Sequence, residues 1–344
     1  LMTEFAGLAY YTEVPLVVWD VQRIGPSTGL PTRTSQGDLT FVNFMGHGDT
    51  SQIILLPGNA DECFEFGWKA FDIAERLQAP VFVLSDLDIG MNQWMSKPFE
   101  YPDKPLDRGK VLWEKDLEAL KGSWARYVDK DNDGITYRTI PGNKHPQGSY
   151  FLRGTGHDEQ ARYTEEPEVW HRMMERLKKK YETAKKIVPD PIQYNSRKTR
   201  IGILAFGSTE PAILEAREQL EKSHGLKMDF LRLRALPFTE AVSNFVRDHD
   251  QLFIIEMNRD GQLNQLLCME YPAIASRFIS IAYQDGLPVT ARWVKESILA
   301  ASKVAPVPTS RNKRTPTKLG RATIGTSNRT GNKSKKKRPL RKSK

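Results

Sequence analysis

Three short runs in the first hundred residues, Pro15 to Trp19, Gln52 to Leu56 and Pro80 to Leu84, are too continuously apolar to alternate, the pattern of strands buried on both faces of a sheet. Between the second and third lies a helical stretch with Phe64, Gly67, Phe71, Ala74 and Leu77 on one stripe, and Asn59 followed by Glu62 three residues later has the spacing of a capping box. Strand, helix and strand at this spacing make a βαβ unit. The expectation is an α/β fold with a parallel sheet covered by helices.

The 344 residues are too many for one ordinary compact domain. From Asp86 to about Pro167 the pattern weakens into Pro, Gly and Asp clusters, as in a long connection draped over a surface. Trp170, Met174, Leu177, Tyr181, Ala184 and Val188 then mark a basic amphipathic helix closed by Pro189 and Pro191, and a boundary is expected near Asn195. Beyond it, Ile201 to Phe206, Phe230 to Leu233, Leu252 to Ile255 and Phe278 to Ala282 read as strands. Helices at Ala212 to Lys222, Thr239 to Asp248, Leu263 to Glu270 and Ala291 to Ala300 alternate with them, predicting a second, smaller doubly wound domain. Leu1 to Tyr11 read as a helix already under way, so the chain is expected to begin inside a domain.

The net charge of +9 is unevenly spread. Residues 303–344 hold 15 Lys and Arg and no acidic residue, which leaves 36 basic against 42 acidic side chains in residues 1–302. The high pI therefore belongs to a tail whose composition cannot bury enough apolar area to offset its ordering entropy, and the tail is expected to be disordered. No window reaches the roughly 18 apolar residues needed to cross a bilayer. The short apolar start lacks a basic lead-in and contains Glu4 and Glu13, so a cytoplasmic location is expected. Cys63 and Cys268, each in an apolar pattern, are expected to be buried thiols. Two cysteines cannot build a four-thiolate iron–sulfur cluster or a closely spaced zinc site within this chain.

The stretch after the first strand is the richest in chemistry. From Gln22-Arg23 through Gly37-Asp38 it leaves the carboxyl end of a strand, where ligands bind in open parallel sheets. Gly25 and Gly29 let amides approach a ligand, Ser27, Thr28, Thr32 and Thr34 add hydroxyls, and Arg23 offers a planar fork for a carboxylate or phosphate. On chemistry alone, an anion site and a polar loop whose arginines pair with nearby acids both stand.

This stretch, followed by His47-Gly48-Asp49-Thr50, Leu84-Ser85-Asp86-Leu87-Asp88 and Tyr137-Arg138-Thr139-Ile140-Pro141-Gly142, resembles the alpha subunit of 2-oxoacid:ferredoxin oxidoreductases, the 2-oxoglutarate synthase type in particular, over roughly residues 1 to 300. The resemblance implies part of a thiamine-diphosphate (pyrimidine-binding) domain at 1–112, a connecting region with the amphipathic helix at 113–195, a transketolase-carboxyl-terminal-like domain at 196–302 and the basic tail at 303–344. It implies oxidative decarboxylation of a 2-oxoacid such as 2-oxoglutarate or pyruvate, with coenzyme A collecting the acyl group and ferredoxin the electrons. Thiamine diphosphate would be shared with a beta subunit that holds the Mg2+ and the iron–sulfur cluster. The family's substrate-carboxylate arginine matches Arg23 and its accompanying threonine matches Thr32. Ser27, Thr28, His47 and Asp49 are further candidates for the active-site loops. The family's Tyr-Pro-Ile-Thr-Pro loop and the glutamate that activates the cofactor do not occur here. The chain therefore resembles the carboxyl-terminal part of such a subunit, expected to be inactive alone.

The remaining motifs carry bland readings. Asp86 and Asp88 suit helix capping, and His47 suits a hydrogen-bonded loop as well as proton donation. Asp129 to Gly134 imitates an EF-hand start, but Ile140 stands where the twelfth ligand should be Glu. Phe206 to Pro211 reads as a helix start, and Glu256 to Leu263 as packing or subunit contact. The competing reading is a non-enzymatic nucleic-acid-associated protein that binds phosphate backbones through its tail; a third assigns the tail to an acidic carrier such as ferredoxin. Neither a membrane nor, for the folded body, a nucleic acid is expected as partner.

Overall fold

The computed structural model describes residues 2–195 and 199–304; the basic tail beyond Val304 lies outside the described residues. In chain order the first half comprises α1 (Met2–Thr12), β1 (Leu16–Ile24), β2 (Leu30–Thr34), α2 (Leu39–Asn43), β3 (Ile53–Leu55), α3 (Ala60–Leu77), β4 (Pro80–Asp86), α4 (Leu87–Met91), α5 (Glu114–Leu120) and α6 (Pro167–Ala184). The second comprises β5 (Ile192–Tyr194), β6 (Ile201–Phe206), α7 (Glu210–His224), β7 (Asp229–Leu233), β8 (Ala235–Leu236), α8 (Glu240–Asp248), β9 (Gln251–Glu256), α9 (Gln262–Glu270), β10 (Phe278–Ala282) and α10 (Ala291–Val304). No helix among the described residues is long and apolar enough to cross a membrane.

The expected βαβ unit is β3-α3-β4. Asn59 caps α3 by accepting from the Glu62 amide at 2.9 Å, and β4 lies parallel to β3 on one side and β1 on the other. The sheet order is β2-β1-β4-β3-β8, with β2 and β8 antiparallel at the edges. The second sheet runs β10-β9-β6-β7-β5, parallel except for β5. Both are doubly wound arrangements, and β8 carries chain from the second half into the first sheet.

The two sheets share one core, in which Ile54, Phe82 and Leu84 of the first and Leu204, Phe206 and Ile254 of the second belong to one cluster with Val242 and Phe245 of α8 and Leu263 and Leu267 of α9. Each such fully buried side chain contributes roughly 1.5–3 kcal/mol through burial. The outer face of the first sheet packs on Phe66, Ala70, Ile73 and Leu77 of α3. The outer face of the second packs on α7 and α10.

Several sequence expectations need correction. The buried stripe of α3 is not that of Phe64, Gly67 and Phe71: Gly67 and Phe71 are exposed, while Phe64 stacks on Phe99 with ring centroids 4.6 Å apart. Nor is β1 buried on both faces, since Leu16, Trp19 and Val21 are exposed. Cys63 and Cys268 are half-buried rather than buried. Burial still pushes the Cys63 thiol up to about 12, with Asp86 and Glu62 adding to the effect.

On α6 the buried face includes Arg176 and Lys180 beside Met173, Leu177 and Ala184. The reason is distant in sequence. Buried Glu13 accepts from Arg176 Nη1 at 3.1 Å and from Lys180 Nζ at 2.8 Å, and Arg126 Nη2 donates to its backbone carbonyl. Trp170, placed on the apolar stripe by the sequence, is instead 48% exposed.

Candidate functional site

Arg23 stands at the last turn of β1, and the stretch that follows is a β-hairpin rather than a loop. Arg23 pairs with Thr34 and Ile24 with Leu30 across β1 and β2. The reversal runs through Ser27 and Gly29, both at positive φ, and a Cβ at Gly29 would stand 2.1 Å from the Ile24 carbonyl oxygen. Only glycine fits there. Ser27 and Thr28 are exposed at the tip, and Thr32 is exposed on β2.

Behind the hairpin the chain is pinned to the second sheet. Thr34 N donates to Gly286 O at 3.1 Å, Ser35 Oγ to Met257 O at 3.1 Å, and Thr40 N to Gln262 Oε1 at 2.9 Å. The carboxyl ends of both sheets meet here. Asp86, at the end of β4, caps α4 by accepting from the Asp88 and Ile89 amides and accepts from Ser208 Oγ of the second half at 2.8 Å. Burial raises its pKa.

The hairpin and the loop after β9 enclose a cavity of about 360 Å³, lined by Arg23, Asp38, Asn258, Arg259, Gln262 and Gln284 among others. Arg259 is held by its neighbour Asp260, Nε to Oδ1 at 2.6 Å. Among the described residues the Arg23 side chain makes no hydrogen bond or ion pair, so its exposed fork is available to an anion. On the opposite face of β1, which also carries Gln22, Asp20 is raised to about 6 by burial and by Asp38; burial raises Asp38 as well.

The structure does not gather all the sequence candidates. Thr32, Ser27 and Thr28 do not line the Arg23 cavity. His47 and Asp49 line a different one of about 430 Å³, with Tyr10, Tyr11 and Trp170. Burial, with help from Glu13, pushes the Tyr10 hydroxyl there up to about 12. Sequence reasoning missed the second-half wall of the Arg23 cavity. The signal for it was present: Asn258 and Arg259 follow a strand end, the position where open α/β sheets bind ligands. Asp129, in the EF-hand-like stretch, accepts from the Asp133 and Gly134 amides as an Asp turn.

Residues 1–117 match a family model described as the thiamine-diphosphate-binding domain of pyruvate flavodoxin/ferredoxin oxidoreductase. A 2-oxoacid:ferredoxin oxidoreductase alpha subunit of Aeropyrum pernix is 34% identical over 274 residues, 78% of this chain and 41% of that protein. The chain is a relative of the 2-oxoacid:ferredoxin oxidoreductase alpha subunits. A 2-oxoglutarate synthase subunit KorA of Methanothermobacter thermautotrophicus is 28% identical over 75% of the chain and 66% of that subunit. A solved 2-oxoglutarate:ferredoxin oxidoreductase from Magnetococcus marinus, with 2-oxoglutarate, coenzyme A and succinyl-CoA bound, superposes with a TM-score of 0.76 at 27% identity. That match covers 87% of this chain and 51% of the other. The chain spans about half the length of the alpha subunits it matches.

Among the described residues no group of three or more His, Cys, Asp or Glu side chains could hold a metal ion. What the alpha-subunit relative does present is a guanidinium suited to a carboxylate.

Proposed function

We propose that this chain supplies the substrate-carboxylate wall of a 2-oxoacid:ferredoxin oxidoreductase acting on 2-oxoglutarate. The observation that carries the reading is the unpaired guanidinium of Arg23 at the mouth of a cavity, on a segment that matches a thiamine-diphosphate-binding domain. Arg23 would hold the 1-carboxylate of the 2-oxoacid by two parallel N–H···O bonds and so fix the neighbouring oxo carbon in place. Thr32 would donate a hydrogen bond to the same carboxylate, and Ser27, Thr28, His47 and Asp49 would belong to the loops around the active site. The decarboxylation chemistry would be supplied by thiamine diphosphate shared with a beta subunit, which also carries Mg2+ and the iron–sulfur cluster that passes electrons to ferredoxin. Coenzyme A would take the acyl group.

In this reading residues 1–112 belong to the pyrimidine-binding domain, 113–195 connect, and 196–302 form the second domain of a cytoplasmic enzyme. The preference for 2-oxoglutarate is supported by the names of the Methanothermobacter and Magnetococcus relatives.

The test is reduction of a viologen dye by the assembled enzyme containing this chain, with thiamine diphosphate and coenzyme A present. Reduction should depend on added 2-oxoacid and be fastest with 2-oxoglutarate. A preference for pyruvate would overturn the substrate assignment, and no reduction with any 2-oxoacid would overturn the function.

A further inference from the structure

The second sheet has a topological switch point that is already filled. Its order β10-β9-β6-β7-β5 sends the chain one way from β6 to β7 and the other way to β9, so a crevice opens between the carboxyl ends of β6 and β9. In open α/β sheets that crevice receives the ligand. Here it receives Gln36, which follows the Arg23 hairpin.

Gln36 is fully buried, and each of its polar atoms is engaged. Its Nε2 donates to the carbonyl of Phe206, the last residue of β6, at 2.8 Å. Its Oε1 accepts from the amide of Met257, just past β9, at 2.9 Å. Its backbone N donates to Met257 O at 2.7 Å, and its backbone O accepts from Asn258 Nδ2 at 3.0 Å. The socket is shaped to the side chain: Gly207 has φ +65°, and a Cβ there would stand 2.5 Å from Gln36 Nε2.

We infer that Gln36 is a positioning residue, an internal ligand of the second sheet's switch-point crevice that sets where the hairpin holds Arg23. The inference rests on the substrate role of Arg23 proposed above. Asn258 links the two sites, since it holds the Gln36 carbonyl and also lines the Arg23 cavity. Without the side chain's two bonds, Ser35 to Asp38 keep only their remaining anchors, Ser35 Oγ and the Gln36 backbone on Met257 and Asn258 and the Gly37 carbonyl on Gln262, and the cavity wall is held less firmly. Binding of the oxoacid then weakens more than turnover, because the reacting atoms do not touch Gln36.

Gln36→Met keeps the volume and removes both side-chain hydrogen bonds. Gln36→Glu places an acceptor against the Phe206 carbonyl until it is protonated, when a carboxylic acid can donate to Phe206 and accept from Met257 as the amide does. Burial raises the pKa of such a carboxyl, which brings its protonation into an accessible range. In the assembled enzyme, Gln36→Met should raise KM for 2-oxoglutarate about tenfold, the order of a lost pair of buried hydrogen bonds, with kcat and the KM for coenzyme A little changed. For Gln36→Glu the elevated KM should fall back toward the wild-type value between about pH 8 and pH 6, while that of Gln36→Met stays high.

Wild-type KM in both variants, or an elevated KM in Gln36→Glu that ignores pH, would overturn the inference. Arg23→Ala in the same assay separates the two ideas. If it leaves KM unchanged, the substrate role of Arg23 fails; if it raises KM and the Gln36 variants do not, only the positioning role fails. Should the Gln36 variants not fold, Gln262→Ala cuts the contacts of the same segment at Gly37 and Thr40. Faster amide exchange at residues 24–34 with unchanged exchange in β6 and β9 then supports the inference, and unchanged or uniformly faster exchange overturns it.

Discussion

Arg232 on β7 grips Glu62 on α3 with both ends of its fork, Nη1 to Oε2 at 2.7 Å and Nη2 to Oε1 at 2.8 Å. The Arg232 side chain is wholly buried, and its Nε lies 2.9 Å from Glu210 Oε2. Arg234 adds a contact to Glu62 Oε1 at 2.7 Å. The pair ties the helix of the first sheet to a central strand of the second.

Removing one partner leaves the other charge buried without compensation. Glu62→Ala should cost about 3–5 kcal/mol in urea unfolding. Burial raises the Glu62 carboxyl, but the hydrogen bonds and charge of Arg232, with Arg234, together hold it below the ordinary value of 4.5. Its contribution is therefore present above that value and lost as pH falls below it. The stability gap between wild type and Glu62→Ala should narrow through that acid window; a constant gap would contradict the assignment.

Lys180 makes the opposite pH signature. Burial, partly offset by Glu13 and reinforced by Arg176, pushes its ammonium down to about 8 from 10.5. Between those values the unfolded chain keeps a proton that the folded chain has released, so stability from this group rises with pH. Relative to Lys180→Met, the wild type should gain stability between about pH 7.5 and 9.5 in denaturant titrations. Parallel curves would remove Lys180 from the buried charge cluster.

Asp20 is raised to about 6 from 3.8 by burial and by the facing Asp38. Here the folded state binds the proton more tightly, so stability falls as pH rises from about 4 to 6. Asp20→Asn should raise Tm at pH 7.5 by about 2–4 °C and have no effect near pH 3.5, followed by calorimetry. Equal shifts at both pH values would show that Asp38 and burial do not act on Asp20 in this way.

The strands of both sheets were legible where burial is continuous, as in Pro80–Asp86 and Ile201–Phe206, because such runs have no other place to go. Leu30–Thr34 was not, since Leu-Pro-Thr-Arg-Thr has the composition of a polar loop and becomes a strand only through its pairing with β1. On α3 two apolar stripes compete. The sequence stripe of Phe64 and Phe71 lost to Phe66, Ala70 and Ile73 because the segment around Phe99 and Tyr101 supplies aromatic contacts to Phe64 outside the core. The burial of Arg176 and Lys180 depends on Glu13, 163 and 167 positions away, and nothing local announces it. In the candidate site, Arg23 was legible from its place at a strand end. Asn258 and Arg259 stand at a strand end that the sequence also shows, but that they face Arg23 depends on how the two sheets meet, which no single stretch encodes.

The most direct test of the substrate assignment is steady-state kinetics of Arg23→Ala in the assembled oxidoreductase, with a dye as electron acceptor. Loss of a charged contact to the oxoacid should lower kcat/KM for 2-oxoglutarate about 10- to 100-fold, mainly through KM, and leave the KM for coenzyme A unchanged. A variant with wild-type kcat/KM for 2-oxoglutarate would contradict the assignment.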